Sequence, residues 1–146
     1  MNAGVKPAVV ITRRSETPFV TGRRDWVKYR ELAVTAATDG KMRAQVICAV
    51  PGKMEPTGWH YHVCDMHFLY VLSGWIDFEF EGAGVIRLVE GDTFLMPGGT
   101  VHQEIMTSAD NECLEVSVPA NMGTVPCPPP SGAHVITEKG QELISC

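Results

Sequence analysis

The sequence predicts an all-β domain, a sandwich or barrel of about eight short strands. Apolar or β-rich runs of strand length alternate with turn residues between residues 26 and 119. The 146 residues include 14 glycines and 10 prolines, which favours short strands and tight turns over long helices. No stretch has a helical period of useful length. With 45% apolar residues, the chain is expected to form one domain with a sizeable core.

A hairpin is predicted first, at residues 26–35 and 42–50, because Asp39-Gly40 between them supplies the positive φ that a tight turn needs. Residues 75–81 then alternate apolar and acidic side chains, the pattern of a strand with one buried side and Asp77 and Glu79 on its polar face. The other predicted strands are residues 60–62, 67–73, 85–89, 93–96, 101–107 and 113–118.

The segments that flank the predicted barrel (residues 26–119) have a different composition. Residues 1–23 are predicted to form an N-terminal arm, with a short strand possible at residues 8–11. Residues 121–146 form a Pro-rich C-terminal tail, because prolines interrupt any central strand there. One helical turn is possible at residues 138–144.

Composition excludes several classes of function. The net charge of −5 lacks the basic footprint of a nucleic-acid-binding protein. No apolar run reaches the roughly 18–20 residues that span a bilayer, and the N-terminus lacks a secretory signal. The five cysteines are odd in number and irregularly spaced, which predicts reduced thiols and a cytoplasmic location. No Cys-x-x-Cys pair is available for a structural zinc site.

Four of the five histidines fall in two short segments and predict one metal site. His60 and His62 share one face of a strand, because successive side chains of a strand alternate. His67 begins the next apolar run, and His102 comes from a distant one. A sheet that curls on itself would aim all four imidazoles at one point. Imidazole suits divalent transition metals (Fe, Ni, Zn, Cu or Mn) better than Mg or Ca.

Glu104 is the candidate catalytic residue, because it lies two residues after His102 and shares its face of the strand. Its carboxylate would orient a ligand imidazole or transfer protons beside the metal; the alternative is a charge at the barrel rim. His134, in the tail, is expected to be a surface residue. Four apolar side chains are expected to line the pocket, namely Leu69, Val71, Phe94 and Met96.

The two histidine segments resemble the two motifs of the cupin superfamily. In the first motif, His60 and His62 match, and the spacing continues through position 67 to Gly74. The second motif is matched in register by Gly91, Pro97, Gly99 and His102. Three positions depart from the family pattern, namely Met54 for a glycine, Met106 for an asparagine and His67 for the usual metal-binding glutamate.

The resemblance implies a double-stranded β-helix, a jelly roll of two antiparallel sheets. It also implies a homodimer, in which residues 5–20 could pack against or exchange with the partner. The metal-ligand set usual in this family is two histidines and a glutamate from the first motif and one histidine from the second. By position His67 is then a ligand; alternatively, it supports a ligand residue without touching the metal, or it faces the substrate.

Four neutral ligands would leave a divalent ion with a charge of about +2 and make it a strong Lewis acid. Such an ion favours a small anionic, chelating substrate. By analogy with metal cupins, the leading hypothesis is oxidation by dioxygen. The alternatives are a metal-dependent isomerase or lyase, with Glu104 as proton shuttle, and a non-enzymatic metal or small-ligand sensor. A barrel that has lost its metal is a further alternative.

Overall fold

The structure is a computed structural model that describes residues 8–52 and 54–131. Within these residues, two antiparallel sheets contain eleven strands, and one short helix lies between the second and third strands. The jelly roll predicted from the sequence is thereby confirmed. The elements are β1 (Val20–Thr21), β2 (Val27–Glu31), α1 (Val34–Ala37), β3 (Arg43–Ala49), β4 (His60–Val63), β5 (Met66–Ser73), β6 (Trp75–Phe80), β7 (Gly84–Val89), β8 (Thr93–Pro97), β9 (His102–Thr107), β10 (Glu112–Val118) and β11 (Gly123–Pro126).

The strand order explains how distant segments meet. One sheet has the order β1-β2-β3-β10-β5-β8, and the other has the order β11-β4-β9-β6-β7. Because β9 lies between β4 and β6, His60 and His62 on β4 share the second sheet with His102 on β9. Strands from both flanking segments, β1 and β11, also belong to the sheets.

The apolar core lies between the sheets. Its buried members come from β5, β6 and β10 and are Leu69, Val71, Ile76, Phe78 and Cys113. Burial of each large apolar side chain contributes about 1.5–3 kcal/mol to folding. Leu69 and Val71 therefore stabilise the core, and the prediction that they line the pocket is wrong.

The predicted hairpin forms between β2 and β3, and its turn has positive φ at Asp39 (52°) and Gly40 (76°). The first strand is shorter than predicted, because α1 takes its last residues. The carboxylate of Glu31 accepts hydrogen bonds from the backbone N–H groups of Ala33 and Thr35. These bonds favour a helical turn and end the strand at Glu31.

The polar face of β6 differs from its prediction, since Asp77 (0% exposed) and Glu79 (1% exposed) are buried. Arg87 on β7 donates two hydrogen bonds to Asp77, with N–O distances of 2.8 and 3.0 Å. The side-chain amide of Gln103 donates to Glu79 at 2.8 Å. The alternation of the sequence therefore marks a strand with two buried faces, one apolar and one composed of paired polar groups.

The flanking segments partly differ from their predictions. Residues 8–11 form no strand, and the side chain of Val9 is 91% exposed. The strand of the arm is β1, which pairs with β2. His134 and the possible helical turn at residues 138–144 lie outside the described residues. In the described part of the chain, no helix is long and apolar enough to cross a membrane.

Candidate metal centre and its cavity

Three of the four predicted histidines form a compact group. His60 and His62 project from the same face of β4, and His102 on β9 lies directly opposite His60 in the register of the sheet. The ring centroids are 4.4 Å apart for His60 and His102, 5.0 Å for His62 and His102, and 5.1 Å for His60 and His62. One nitrogen of each ring and one carboxylate oxygen of Glu104 all lie within 4.8 Å of one another. A single metal ion could contact all four groups.

Hydrogen bonds orient these imidazoles. The Nδ1 atoms of His60 and His102 lie 2.8 and 2.9 Å from the backbone carbonyl two residues earlier in each case. Because a carbonyl only accepts, each Nδ1 carries the proton, and each Nε2 keeps a free lone pair. The Nδ1 of His62 lies 3.2 Å from the hydroxyl oxygen of Thr124 on β11. The Nε2 of His102 is buried without a hydrogen-bond partner, as expected for a nitrogen that binds an ion.

Burial disfavours the charged form of two of these rings. It is the main cause that lowers the pKa of His62 to about 4, and electrostatic repulsion from the neighbouring imidazoles of His67, His102 and His60 lowers the pKa further. Burial also lowers the pKa of His102. Neutral imidazole is the form that binds metals, so His62 and His102 can bind an ion at neutral pH.

Glu104 extends the group by a carboxylate. Its Oε2 accepts a hydrogen bond from the hydroxyl of Thr57 at 2.5 Å and lies 3.5 Å from the Nε2 of His60. Its Oε1 lies 4.0 Å from the Nε2 of His102. Burial alone would raise the pKa of Glu104, but His60, His102 and the Thr57 hydroxyl together lower it below the ordinary value. The sequence therefore located a carboxylate that touches the histidine group.

His67 lies beside the group, on β5 of the opposite sheet. It is 3% exposed, and its ring meets that of His62 edge-on at a centroid distance of 5.2 Å. Neither of its nitrogens has a hydrogen-bond partner, although both are buried. An unsatisfied buried polar group costs about 1–3 kcal/mol. A metal ion or a substrate that binds to a nitrogen of His67 would therefore remove part of this cost. Its nitrogens do not belong to the group of donors that lie within 4.8 Å of one another.

A cavity of about 630 Å³ opens beside these residues. Its other wall contains polar side chains that the sequence analysis did not select, namely Arg43, Gln45 and Glu115. The pattern of β10 contains no signal for Glu115, because the apolar residues Leu114 and Val116 alternate with it and an apolar-inward rule would turn Glu115 outward. Phe94 and Met96, which were expected in the lining, do not border this cavity among its described residues.

Tyr29 on β2 also lines this cavity. Its ring packs so closely on Gly22 that a Cβ at that glycine would lie 1.9 Å from the tyrosine Cε2. Burial raises the pKa of the Tyr29 phenol, and the charges of Glu115 and Glu104 raise it further. The phenol is therefore protonated at neutral pH and can donate a hydrogen bond into the cavity.

Comparison with known families identifies the class of the protein. The family model described as a cupin domain matches residues 45–118, and the chain belongs to the cupin family. This match includes every predicted metal ligand and Glu104.

Solved structures share the fold at low sequence identity. KdgF from Halomonas sp. is 20% identical, with a TM-score of 0.63 over 78% of this chain and 96% of that one. The polyketide cyclase RemF from Streptomyces resistomycificus is 17% identical, with a TM-score of 0.62 over 80% of this chain and 84% of its own. A predicted oxalate decarboxylase from Thermotoga maritima is 23% identical, with a TM-score of 0.60 over 75% and 98% of the two chains. Comparison with curated proteins found no match.

Proposed function

We propose that this cupin is a metal-dependent enzyme that acts on a small anionic organic substrate in its cavity. The observation that carries the proposal is the convergence of three buried imidazoles and the carboxylate of Glu104 within 4.8 Å. His60, His62 and His102 would hold a divalent transition metal (Fe, Ni, Zn, Cu or Mn).

His67 and Glu104 are the two candidates for a further protein ligand. The position of the Glu104 carboxylate favours Glu104, whereas the two buried ring nitrogens without a hydrogen bond favour His67. If His67 binds the ion, Glu104 is free to act as an acid or base. If Glu104 binds the ion, His67 faces the substrate. Variants at the two positions separate these assignments.

Proton transfer is the reaction type that the arrangement of side chains supports best. The bound ion would act as a Lewis acid toward an anionic oxygen. The Glu104 carboxylate, with its lowered pKa, is ionised at neutral pH and can accept a proton within the cavity. The protonated phenol of Tyr29 can donate a hydrogen bond to an oxygen that gains charge. These groups suit an isomerase or a lyase.

Oxidation by dioxygen, the leading hypothesis from the sequence, is the second candidate. Its support is the donor set, because histidines combined with one carboxylate are typical of non-heme Fe(II) oxygenases. The third candidate is a sensor that binds metal without turnover.

The first test measures metal content and activity in the same preparations. The native protein should contain about one divalent transition metal per chain, and His102→Ala should lose at least nine-tenths of it. Loss in Glu104→Gln but not in His67→Gln would assign Glu104 as the ligand, and the converse would assign His67. His134→Ala is the matched control. Native protein without a transition metal after metal-supplemented purification would refute the proposal.

The second test separates the reactions. Small hydroxy acids and keto acids are incubated with the loaded protein in deuterated buffer, and oxygen uptake is recorded in parallel. Deuterium incorporation that Glu104→Gln abolishes supports proton transfer, whereas oxygen uptake supports oxidation. Bound metal without either activity supports a sensor.

A homodimer and a cytoplasmic location remain predictions. Among the described residues, Cys48, Cys64, Cys113 and Cys127 are free thiols, which agrees with a reducing compartment. Light scattering on the eluting protein would determine whether a second copy is bound.

A further inference from the structure

The wall opposite the metal group contains a buried carboxylate with one oxygen that is only weakly held. Glu115 on β10 is 8% exposed and faces inward between the sheets. Its Oε1 accepts hydrogen bonds from the amide of Gln45 at 3.2 Å and from the guanidinium of Arg43 at 3.4 Å. Its Oε2 is paired with the Nε2 of His67 at 3.7 Å, a distance longer than an ordinary hydrogen bond. One oxygen of this cavity-lining residue is thus held by two donors, and the other has a long contact with His67.

The environment of Glu115 favours a hydrogen-bond donor as the occupant. A buried carboxylate is costly unless its oxygens are well paired, so a donor in the occupied cavity would satisfy Oε2 better than the long contact with His67 does. The neighbouring Nε of Arg43 is also buried and unpaired. Because Arg43 balances the charge of Glu115, the pair does not repel an anionic molecule as a lone carboxylate would.

We propose that Glu115 is a specificity-determining residue that binds a hydroxyl or ammonium group of the substrate through Oε2. Arg43 and Gln45 are positioning residues, because they hold Oε1 and thereby aim Oε2 at the cavity. The inference rests on the proposed function, since the anionic end of the same molecule would lie at the metal group. The substrate is then a small acid with a hydrogen-bond donor on its remote end.

Glu115→Gln tests this role with a defined chemical change. Arg43 and Gln45 both donate toward the position of Oε1, so the new side chain must place its carbonyl oxygen there. Its NH₂ group then replaces Oε2 and turns the acceptor that faces the cavity into a donor. Glu112→Gln, on the same strand but outside the cavity lining, is the matched control for loss of one charge.

The probes are straight-chain acids of four to six carbons, each with a terminal methyl, hydroxyl or ammonium group. Calorimetry on the zinc-loaded protein measures their dissociation constants. We expect the hydroxyl or the ammonium acid of one length to bind about tenfold more tightly than its methyl counterpart, the factor for one hydrogen bond to a charged group. Glu115→Gln should remove that preference and leave binding of the methyl acids unchanged.

Three results would overturn the inference. They are equal binding of the three probes at every length, a preference that survives in Glu115→Gln, and loss of zinc in Glu115→Gln, which would show that Glu115 serves His67 as a metal ligand instead. Failure of the native protein to bind zinc is a different outcome and refutes the proposed function itself. Which of the two donors binds more tightly distinguishes a hydroxy acid from an amino acid as the substrate class.

Discussion

The histidine group should make the metal-free protein sensitive to acid, and His62 is the residue through which this can be measured. Burial first, and then the charges of the neighbouring imidazoles, lower its pKa in the folded protein to about 4. In the unfolded chain the pKa returns to its ordinary value of 6.5. Below pH 6.5 the unfolded chain therefore binds a proton that the folded protein does not. Stability rises with pH across this window, and it is lost as the pH falls from 6.5 toward 4.

The expected loss of unfolding free energy is set by the number of pH units between 6.5, the pKa in the unfolded chain, and the lower pH of the assay. Each pH unit is worth about 1.4 kcal/mol, so acidification from pH 7.5 to pH 5 should cost about 2 kcal/mol through His62. His62 is 7% exposed, and solvent therefore screens little of this effect. The assay is urea unfolding at both pH values in the presence of a chelator, with tryptophan fluorescence as the signal that monitors unfolding. His62→Gln should lose about 2 kcal/mol less than the native protein, whereas His134→Gln should behave like the native protein. An unchanged pH dependence in His62→Gln would refute the reasoning.

Two further predictions concern the barrel itself. Gly98→Ala should destabilise the fold by roughly 3 kcal/mol in thermal unfolding, because the new Cβ would lie 1.7 Å from the backbone carbonyl oxygen of Cys64. The control is Gly82→Ala, where the new Cβ meets no neighbour and only the positive φ is unfavourable. It should cost about 1 kcal/mol in the same assay. Asp77→Ala should cost about 2–3 kcal/mol in urea, because it leaves a partly buried guanidinium without its carboxylate. The exposed Asp65→Ala should stay within about 0.5 kcal/mol of the native protein, and an equal loss in both aspartate variants would contradict the argument.

The sequence predicted the fold and one wall of the site, because local patterns encode both. Strand alternation alone determined that His60 and His62 share a face, and the glycines and prolines of the second segment fixed the turns before His102. These features depend on residues close in sequence. The burial of Asp77 and Glu79 could not be predicted in the same way, since the groups that pair with them come from neighbouring strands.

The second wall of the cavity escaped prediction for a related reason. In β10 the inward face contains Cys113, Glu115 and Ser117, whereas Leu114 and Val116 face outward. A rule that sends apolar side chains inward assigns this strand the wrong faces. Only the pairing of β10 with β3 and β5 shows that Glu115 meets Gln45 and His67 inside the barrel.

The last strand has a practical consequence for work with this barrel. β11 pairs with β4 over four residue pairs, while β9 meets β4 at the single pair of His60 and His102. β11 also supplies Thr124, which contacts the ring of His62. A recombinant fragment that ends at residue 118, the boundary of the family match, would lack β11 and leave the candidate ligands His60 and His62 on an unpaired edge strand. Cloning boundaries for this protein should therefore extend at least through Pro126.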